Sequence, residues 1–388
     1  MKQIPMLDLK LEYDYMKADI DSAISKCLNH QQWILGPEVK ELEEKIAAFI
    51  GSKYCIGTSS GTDALVLALR ALAIKIKGQE YFEKSDKIIT TPFTFTATGD
   101  AILRSGATPV FVDIIPDTFN IDPARIKKFL AASNAQGVVG IIPVHLFGQA
   151  CNMDEIMEIA GQHNLFVLED VAQAFGAMWQ NQKLGSIGIA GAFSFFPSKN
   201  LGGFGDGGMI TTNDDKIAEI ARMLLKHGGK DKYNVDHIGY NARLDTLQAA
   251  IVLAKLKYVD EFNEKRRKIA EFYTAALKTN KSIELPVTLP DAHHVYHQYT
   301  IKVPVGKREA LQKYLTESCI SSMVYYPVAL HKMKVFKENS LVADNVIISE
   351  KMVEQVLSLP VEPLLHSSQL EHIVTSMHNF FNSETTQK

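Results

Sequence analysis

The 388-residue sequence predicts an α/β protein with a mostly parallel central sheet, followed by a smaller α+β domain. Short β-rich runs recur along the chain with helical stretches such as Met153–His163 between them, as expected for parallel strands joined by crossover helices. The pattern changes after a long helical stretch from Asp245 to about Leu277. We therefore divide the chain into a large domain, residues 1–250, and a connecting helix with a small domain, residues 251–388.

Hydrophobic periodicity places the elements of the large domain. Helices are expected at Ser22–Leu28, Glu38–Ile50 and Thr62–Ile74, the second with Pro37 at its start. The later β-rich runs lie closer together, so we expect at least one antiparallel strand. The expected strands are Lys87–Thr91, Thr108–Asp113, Val138–Val144, Leu165–Glu169, Ala192–Phe196 and Met209–Thr212.

The small domain begins after the Pro-punctuated segment Leu285–Pro290. We expect a strand at Tyr299–Pro304, a helix at Lys307–Glu317, a Tyr-Pro loop and a terminal helical stretch. The last residues, Asn382–Lys388, have the composition of a frayed tail.

Composition argues against several classes of protein. With 41 Lys+Arg and 44 Asp+Glu the net charge is −3, so a nucleic-acid partner held by a bulk basic field is not expected. Mean hydropathy is −0.03 and no apolar run reaches the roughly 18 residues of a membrane span. The amino terminus lacks the apolar stretch of a signal peptide. The scattered cysteines have no zinc-ligand spacing, so we expect free thiols, no metal site and a cytoplasmic location.

A first candidate for chemistry is Lys199, which follows a predicted strand and precedes a Gly-rich turn in the segment Phe193–Gly208. Desolvation between apolar neighbours lowers the pKa of a lysine, which an amine needs to attack a carbonyl. The segment matches neither the dinucleotide nor the P-loop motif. A solvated surface lysine is the alternative interpretation.

Two further segments complete a possible site. Asp170 ends the apolar run that starts at Leu165, and ligands bind at the carboxyl ends of parallel strands. It either pairs with a protonated ring nitrogen or caps the next helix. Ser59-Ser60-Gly61 leads into an apolar helix, where free N–H groups favour a phosphate, although an ordinary Ser-capped helix looks the same. A lysine, an acid and a phosphate cradle are what a pyridoxal phosphate (PLP) enzyme needs.

The chain carries a set of motifs whose combination is specific, although no single one of them is. They are Ser60–Leu65, Pro92–Thr98, Gly106–Asp113, Pro143–Gln149, Glu169–Gln173, Ser194 with Lys199, and Gly239–Asp245. In these motifs the sequence resembles the DegT/DnrJ/EryC1/StrS family of PLP-dependent nucleotide-sugar aminotransferases, from Ile34 to Pro360. The resemblance implies the aspartate-aminotransferase fold, PLP fold type I.

The resemblance also implies residue roles. Lys199 would form a Schiff base with PLP, Asp170 would pair with the ring nitrogen and Gln173 would bond the ring hydroxyl. Asn241 would reach the cofactor of a neighbouring subunit, which implies a homodimer with shared active sites. Further cofactor contacts would come from Ser60, Gly61, Thr62, Phe95 and Ser194. Substrate contacts would come from His145, His227, Tyr326 and His331, although His145 and His227 fit a structural role equally well.

The implied reaction transfers an amino group from L-glutamate to a 3- or 4-keto group of a nucleoside-diphosphate-linked hexose, for amino-sugar or polysaccharide biosynthesis. One alternative is a PLP-dependent sugar dehydratase, in which His replaces the Schiff-base lysine. A second is a noncatalytic regulatory protein that binds PLP or a sugar nucleotide. Two features depart from the family: Lys75–Lys84 is longer than the usual turn, for which we expect a surface loop, and Ala329 stands where Pro is usual.

Overall fold

The computed structural model describes residues 3–132, 135–231 and 233–385. The helices are α1 (Leu9–His30), α2 (Pro37–Ile50), α3 (Gly61–Lys77), α4 (Thr96–Arg104), α5 (Pro123–Leu130), α6 (Met153–His163), α7 (Asp215–Leu224), α8 (Thr246–Leu256), α9 (Val259–Leu277), α10 (Arg308–Glu317), α11 (Lys334–Lys337), α12 (Ile347–Gln355) and α13 (Ser367–Thr385). The strands are β1 (Tyr54–Thr58), β2 (Lys87–Thr90), β3 (Thr108–Phe111), β4 (Val138–Ile141), β5 (Phe166–Asp170), β6 (Met178–Trp179), β7 (Gln182–Lys183), β8 (Ala190–Ser194), β9 (Gly208–Thr212), β10 (Ala292–His293), β11 (Tyr299–Lys302), β12 (Leu341–Val342) and β13 (Val356–Leu359).

The large sheet has the strand order β1-β9-β8-β5-β4-β2-β3-β12 in the described chain. Strand β9 is antiparallel to both of its neighbours, and the remaining pairs are parallel. Strands β8 and β9 are joined directly by the Gly-rich segment 195–207, with no crossover helix, so the chain has to return antiparallel. The mostly parallel α/β sheet predicted from the sequence is confirmed, as is its antiparallel member.

Helices cover both faces of the sheet. One face packs on α2, α6 and α8 through buried side chains such as Leu42, Ile156 and Val252. The other face packs on α3 and α7, through residues such as Leu69 and Ile220. Because both faces are buried, the central strands are apolar almost throughout, as their continuous apolar runs predict.

The carboxyl-terminal part of the chain builds its own cluster of buried side chains. Strands β11 and β13 form an antiparallel pair, and α9, α10 and α13 contribute to this cluster. Two segments cross the predicted division at residue 250. Ile4 is buried in the carboxyl-terminal cluster, where its N–H donates to the Cys319 carbonyl, and β12 joins the edge of the large sheet. The division itself remains a proposal.

Several predicted boundaries were wrong. Helix α1 starts at Leu9, capped by the Asp8 side chain, rather than at the predicted Ser22. The helical pattern from Asp245 to Leu277 is broken at residues 257–258 into α8 and α9. The predicted tail is helical as far as Thr385, and residues 386–388 lie outside the described residues. Strand β1 was not predicted, because its sequence has too few apolar residues to give a clear pattern.

No helix in the described ranges combines the length and apolar character that crossing a bilayer requires. The cysteines are free thiols, with Cys27, Cys55 and Cys151 buried.

Candidate active site

A cavity of about 500 Å³ lies at the carboxyl ends of β5 and β8, beside the amino termini of α3 and α4. Asp170 and Ser194 are the last residues of the two strands and both line the cavity. Lys199 follows in the Gly-rich connection and faces the same space. Ser60 and Gly61 line the cavity as well. Ligands bind at this edge of a parallel sheet, so the predicted lysine, acid and phosphate-binding segment meet where the topology predicts.

Asp170 is buried and held from two sides. Thr98 Oγ1 donates a hydrogen bond to Oδ2 at 2.7 Å, and the Ala172 N–H donates to Oδ1 at 3.1 Å. Burial raises the pKa of Asp170, while the bonds from Thr98 and Ala172 and the charge of Lys199 oppose that rise. Residues 171–177 form turns rather than a helix, so the helix-cap alternative for Asp170 is wrong, although its carboxylate does bond the backbone of the turn.

The amino group of Lys199 is largely shielded from water. Burial lowers its pKa to about 8, and the nearby carboxylate of Asp170 partly opposes this effect. Its ammonium makes no hydrogen bond or ion pair with the described residues. The side chain lines the cavity, so the surface-lysine alternative is wrong. An amine with this pKa is partly neutral near pH 8, which is the form that attacks a carbonyl.

The amino terminus of α3 forms one wall of the cavity. Ser60 is the N-cap, and its side chain accepts a hydrogen bond from the Asp63 N–H at 3.1 Å. The N–H groups of Gly61 and Thr62 have no acceptor among the described residues, so they remain available to an anion. A Cβ on Gly61 would lie 2.6 Å from Ser194 Cβ, so only glycine lets the helix approach the end of β8 this closely.

Gln173 has its side-chain amide oriented by two bonds. Its Oε1 accepts from the Phe147 N–H at 3.0 Å, and its Nε2 donates to the Tyr326 hydroxyl at 2.9 Å. Burial raises the pKa of Tyr326, so its hydroxyl stays protonated and can donate to a cavity ligand. Phe95 is 56% exposed, lines the cavity and lies 6.1 Å from the Tyr326 ring.

The predicted substrate residue His145 does not face the cavity. It is fully buried, its Nδ1 accepts from the Cys151 N–H at 3.1 Å, and its Nε2 lies 3.2 Å from Glu169 Oε2. Glu169 is itself held by the N–H groups of the turn after β7, for example Gly185 at 2.8 Å. His145 is therefore a structural histidine that ties β5 to the segment 145–151, and its prediction as a substrate contact was wrong.

Three other predicted residues lie outside this cavity in the described chain. His331 Nε2 bonds Glu350 at 2.9 Å, while its buried Nδ1 has no partner among the described residues. His227 and Asn241 are exposed, and the Asn241 Oδ1 accepts from Arg243. An exposed position leaves the side chains of His227 and Asn241 accessible to another molecule, and the predicted roles of all three residues stay predictions.

Within the segment Lys75–Lys84, residues 78–84 form a loop, as expected, whereas the first three residues are the end of helix α3; the loop is firmly attached. Helix α3 ends at Lys77, and Glu80 then pairs with the fully buried Arg70 at 2.7 Å. Glu80 also contacts His237 Nδ1 at 2.7 Å and accepts from the Ile238 N–H at 3.2 Å. Arg70 donates to the Tyr240 hydroxyl at 2.8 Å. The loop thus fixes the segment that leads directly to Asn241.

Sequence reasoning gave no role to several residues of the cavity, among them Thr98 and His297. Thr98 closes the motif Pro92–Thr98, which carried part of the family resemblance without a role for this hydroxyl. His297 belongs to the histidine-rich run His293–His297, which is the signal that could have drawn attention to it.

A group with metal-ligating side chains lies elsewhere, between α1 and α2. Ligand atoms of Cys27, His30 and Glu38 lie within 4.8 Å of one another. However, the Gln32 N–H donates to His30 Nδ1 at 3.0 Å, which leaves the proton of a neutral His30 on Nε2, facing Glu38. Lys26 also approaches Glu38 at 3.5 Å. Hydrogen bonds and ion pairs therefore already satisfy this group.

A family model described as the DegT/DnrJ/EryC1/StrS aminotransferase family matches residues 14–378. A relative from Geobacillus stearothermophilus named "Pleiotropic regulatory protein" is 43% identical over 97% of this chain and 98% of its own length. A "dTDP-3-amino-3,6-dideoxy-alpha-D-galactopyranose transaminase" from Aneurinibacillus thermoaerophilus is 40% identical over 97% of this chain and 99% of its own.

Among solved structures, the X-ray crystal structure of S. venezuelae DesV in complex with a ketimine intermediate is similar throughout. It is 34% identical, covers 98% of this chain and 99% of its own, and superposes with a TM-score of 0.91. The similarity therefore extends over both the large sheet and the carboxyl-terminal part.

Proposed function

The chain belongs to the DegT/DnrJ/EryC1/StrS aminotransferase family, and from this premise we propose that it is a PLP-dependent nucleotide-sugar aminotransferase. It moves an amino group from L-glutamate to a 3- or 4-keto group of a hexose linked to a nucleoside diphosphate, for amino-sugar or polysaccharide biosynthesis. The observation that carries the proposal is the placement of Lys199 and Asp170 in one cavity with the open amino terminus of α3. A cytoplasmic location remains a prediction from the sequence.

The cavity residues fit PLP. The N–H groups of Gly61 and Thr62 lack an acceptor among the described residues and lie beside Ser194, which suits a phosphate. The close approach at Gly61 keeps this cradle free of a side chain. Asp170 offers a carboxylate to a ring nitrogen, and Phe95 offers an exposed ring for stacking. Gln173 and Tyr326 offer polar groups in the same space.

When bound, PLP supplies an electron sink that stabilises negative charge on the carbon that loses a proton. Asp170, oriented by Thr98 and Ala172, holds the proton on the ring nitrogen that this sink requires. Lys199 would tether the cofactor through Nζ. When free, its amine, with a pKa lowered to about 8, would accept the proton at Nζ and return it to the neighbouring carbon.

We further propose that the active unit is a homodimer with shared active sites. Asn241 is exposed and is not among the residues that line the cavity of its own chain, as expected for a residue that serves a neighbour. Phe196 is 50% exposed at the cavity, and Trp33, Ile34 and Leu35 are between 42% and 53% exposed. Such apolar exposure is typical of an interaction surface. Mixing inactive Lys199→Ala and Asn241→Ala homodimers should restore activity, because a hybrid holds one intact site.

Two alternatives remain distinguishable. A sugar dehydratase of this family carries His in place of the lysine, and position 199 is Lys. The relative that is 43% identical is named "Pleiotropic regulatory protein", so a noncatalytic regulatory role is the second alternative to test. A dehydratase would release ammonia without glutamate, and a noncatalytic protein would not convert PLP to pyridoxamine phosphate when glutamate is added.

The deciding experiment is a panel of UDP-, dTDP- and GDP-linked 3-keto and 4-keto hexoses, each incubated with the holoenzyme and L-glutamate. Mass spectrometry should show one sugar gaining an amino group together with release of 2-oxoglutarate, and Lys199→Ala should abolish both. Formation of 2-oxoglutarate without any aminated sugar would contradict the proposed acceptor class. Failure to form either 2-oxoglutarate or an aminated sugar with any member of the panel would contradict the proposed function.

A further inference from the structure

His297 lines the cavity that holds Lys199, yet no role follows for it from the motifs. It is 6% exposed and lies in the loop between β10 and β11. Its ring nitrogens differ sharply in surroundings. Nδ1 lies 3.1 Å from Asn200 Oδ1, whereas Nε2 has no hydrogen-bond partner among the described residues.

A relay of amides fixes which nitrogen of His297 carries the proton. Asn263 Nδ2 donates to the Phe175 carbonyl at 3.0 Å, so Asn263 presents its oxygen to Asn200. Asn200 Nδ2 then donates to that oxygen at 2.7 Å and to the Val295 carbonyl at 3.1 Å. Both amides are anchored by backbone carbonyls, which only accept hydrogen bonds. Asn200 Oδ1 is therefore an acceptor, and the proton of a neutral His297 must be on Nδ1.

The second nitrogen then presents a lone pair to the cavity. Nε2 lacks a partner but is not fully buried, so it must border open space. The open space that His297 lines is the cavity. Burial, together with the positive charges of Lys199 and Arg266, holds the pKa of His297 well below its ordinary value, so the ring stays neutral. A neutral acceptor repels phosphate and carboxylate oxygens and bonds an O–H or N–H donor.

We infer that His297 is a specificity-determining residue whose Nε2 accepts a hydrogen bond from a hydroxyl group of the bound sugar. This inference rests on the proposed function. The only donor of ionised L-glutamate is its ammonium group, which is the group that is transferred, and ionised 2-oxoglutarate has no donor, whereas a hexose carries several hydroxyl donors. The interaction therefore belongs to the half of the reaction that involves the sugar, and the glutamate half proceeds without it.

The chain offers a matched pair of variants. In His297→Asn the amide nitrogen replaces Nδ1–H and keeps the bond to Asn200, but no acceptor reaches the cavity. In His297→Gln the longer side chain places an oxygen near the position of Nε2. We expect His297→Asn to slow the single-turnover reaction of the pyridoxamine form with its keto sugar about tenfold, the effect of one hydrogen bond, and His297→Gln to slow it less. The glutamate half-reaction should stay within about twofold in both variants.

A second readout needs neither cofactor nor turnover. In protein labelled with ¹⁵N-histidine, with His297 assigned by comparison with the Asn variant, NMR should report a neutral ring protonated on Nδ1 at neutral pH. A ring protonated on Nε2 or on both nitrogens would overturn the inference, as would equal slowing of the two half-reactions. If wild-type protein performs neither half-reaction, the proposed function fails, while the NMR result still decides the tautomer.

Discussion

Thr98 Oγ1 and Asp170 Oδ2 lie 2.7 Å apart, and this bond joins the first turn of α4 to the last residue of β5. The carboxylate of Asp170 is thereby fixed on one oxygen by a hydroxyl and on the other by the Ala172 N–H. Because burial alone raises the pKa of Asp170, these donors help to keep the acid ionised. An ionised, oriented carboxylate is what a protonated pyridine nitrogen requires.

Replacing Thr98 by Val keeps the shape of the side chain but removes the donor to Asp170. We expect PLP to bind about tenfold more weakly, since a hydrogen bond to a charged group contributes about 1.5 kcal/mol or more. Thr98→Ser keeps the hydroxyl and is the matched control. Titration of the apoprotein with PLP, followed by absorbance, measures both; an unchanged dissociation constant in Thr98→Val would show that the bond does not support Asp170.

Removing Glu80 should destabilise the segment before Asn241. Arg70 is fully buried and would lose the carboxylate that neutralises it, and His237 would lose a partner. We expect Glu80→Ala to lower the free energy of unfolding in urea by about 2 kcal/mol, less than for a fully buried pair because Glu80 is 32% exposed. Glu83→Ala, in the same loop but 58% exposed, is the control. Equal effects of the two substitutions would contradict the assigned role of Glu80.

Glu362 predicts a pH dependence of stability. Burial raises its pKa to about 7 in the folded chain, above its ordinary value of 4.5. A raised pKa means that the folded state holds the proton more tightly than the unfolded state, so the contribution of Glu362 to stability is greatest below about pH 4.5 and is lost as the pH rises through about 7. Glu362→Gln should flatten this decline, raising Tm relative to wild type at pH 8 and not at pH 4. Glu317→Gln, exposed on α10, should change neither value. A parallel decline in the Glu362 variant would contradict the assignment.

Lys199 predicts a second pH dependence, in the rate of cofactor capture. With its pKa lowered to about 8, the neutral amine that attacks the PLP aldehyde becomes the major form above pH 8. The association rate should therefore rise through half of its maximum near pH 8. Stopped-flow absorbance over pH 6–10 measures it. A midpoint near the ordinary 10.5 would mean that the lysine is not desolvated.

The sequence predicts the sheet and its ligand-binding edge well, because long apolar runs and Gly-rich turns depend on local chemistry. The sequence does not predict which side chains from distant parts of the chain come into contact. Asp170 lines the cavity, as its place at the end of an apolar run predicts, and its role stays a prediction. Thr98 lies 72 residues away in sequence and reaches Asp170 only through tertiary packing. His145, adjacent in sequence to a cavity strand, turns inward to Glu169, which no periodicity reveals. The break between α8 and α9 is likewise invisible, since no Pro or Gly marks it.

Covalent capture tests the central assignment most directly. Holoenzyme is reduced with borohydride, digested and mapped by mass spectrometry, beside Lys199→Ala treated in the same way. The phosphopyridoxyl group should be found on the peptide that contains Lys199 and be absent from the variant. A label on a different lysine, or a Lys199→Ala protein that captures PLP as well as wild type, would contradict the assignment of Lys199 and the site built around it.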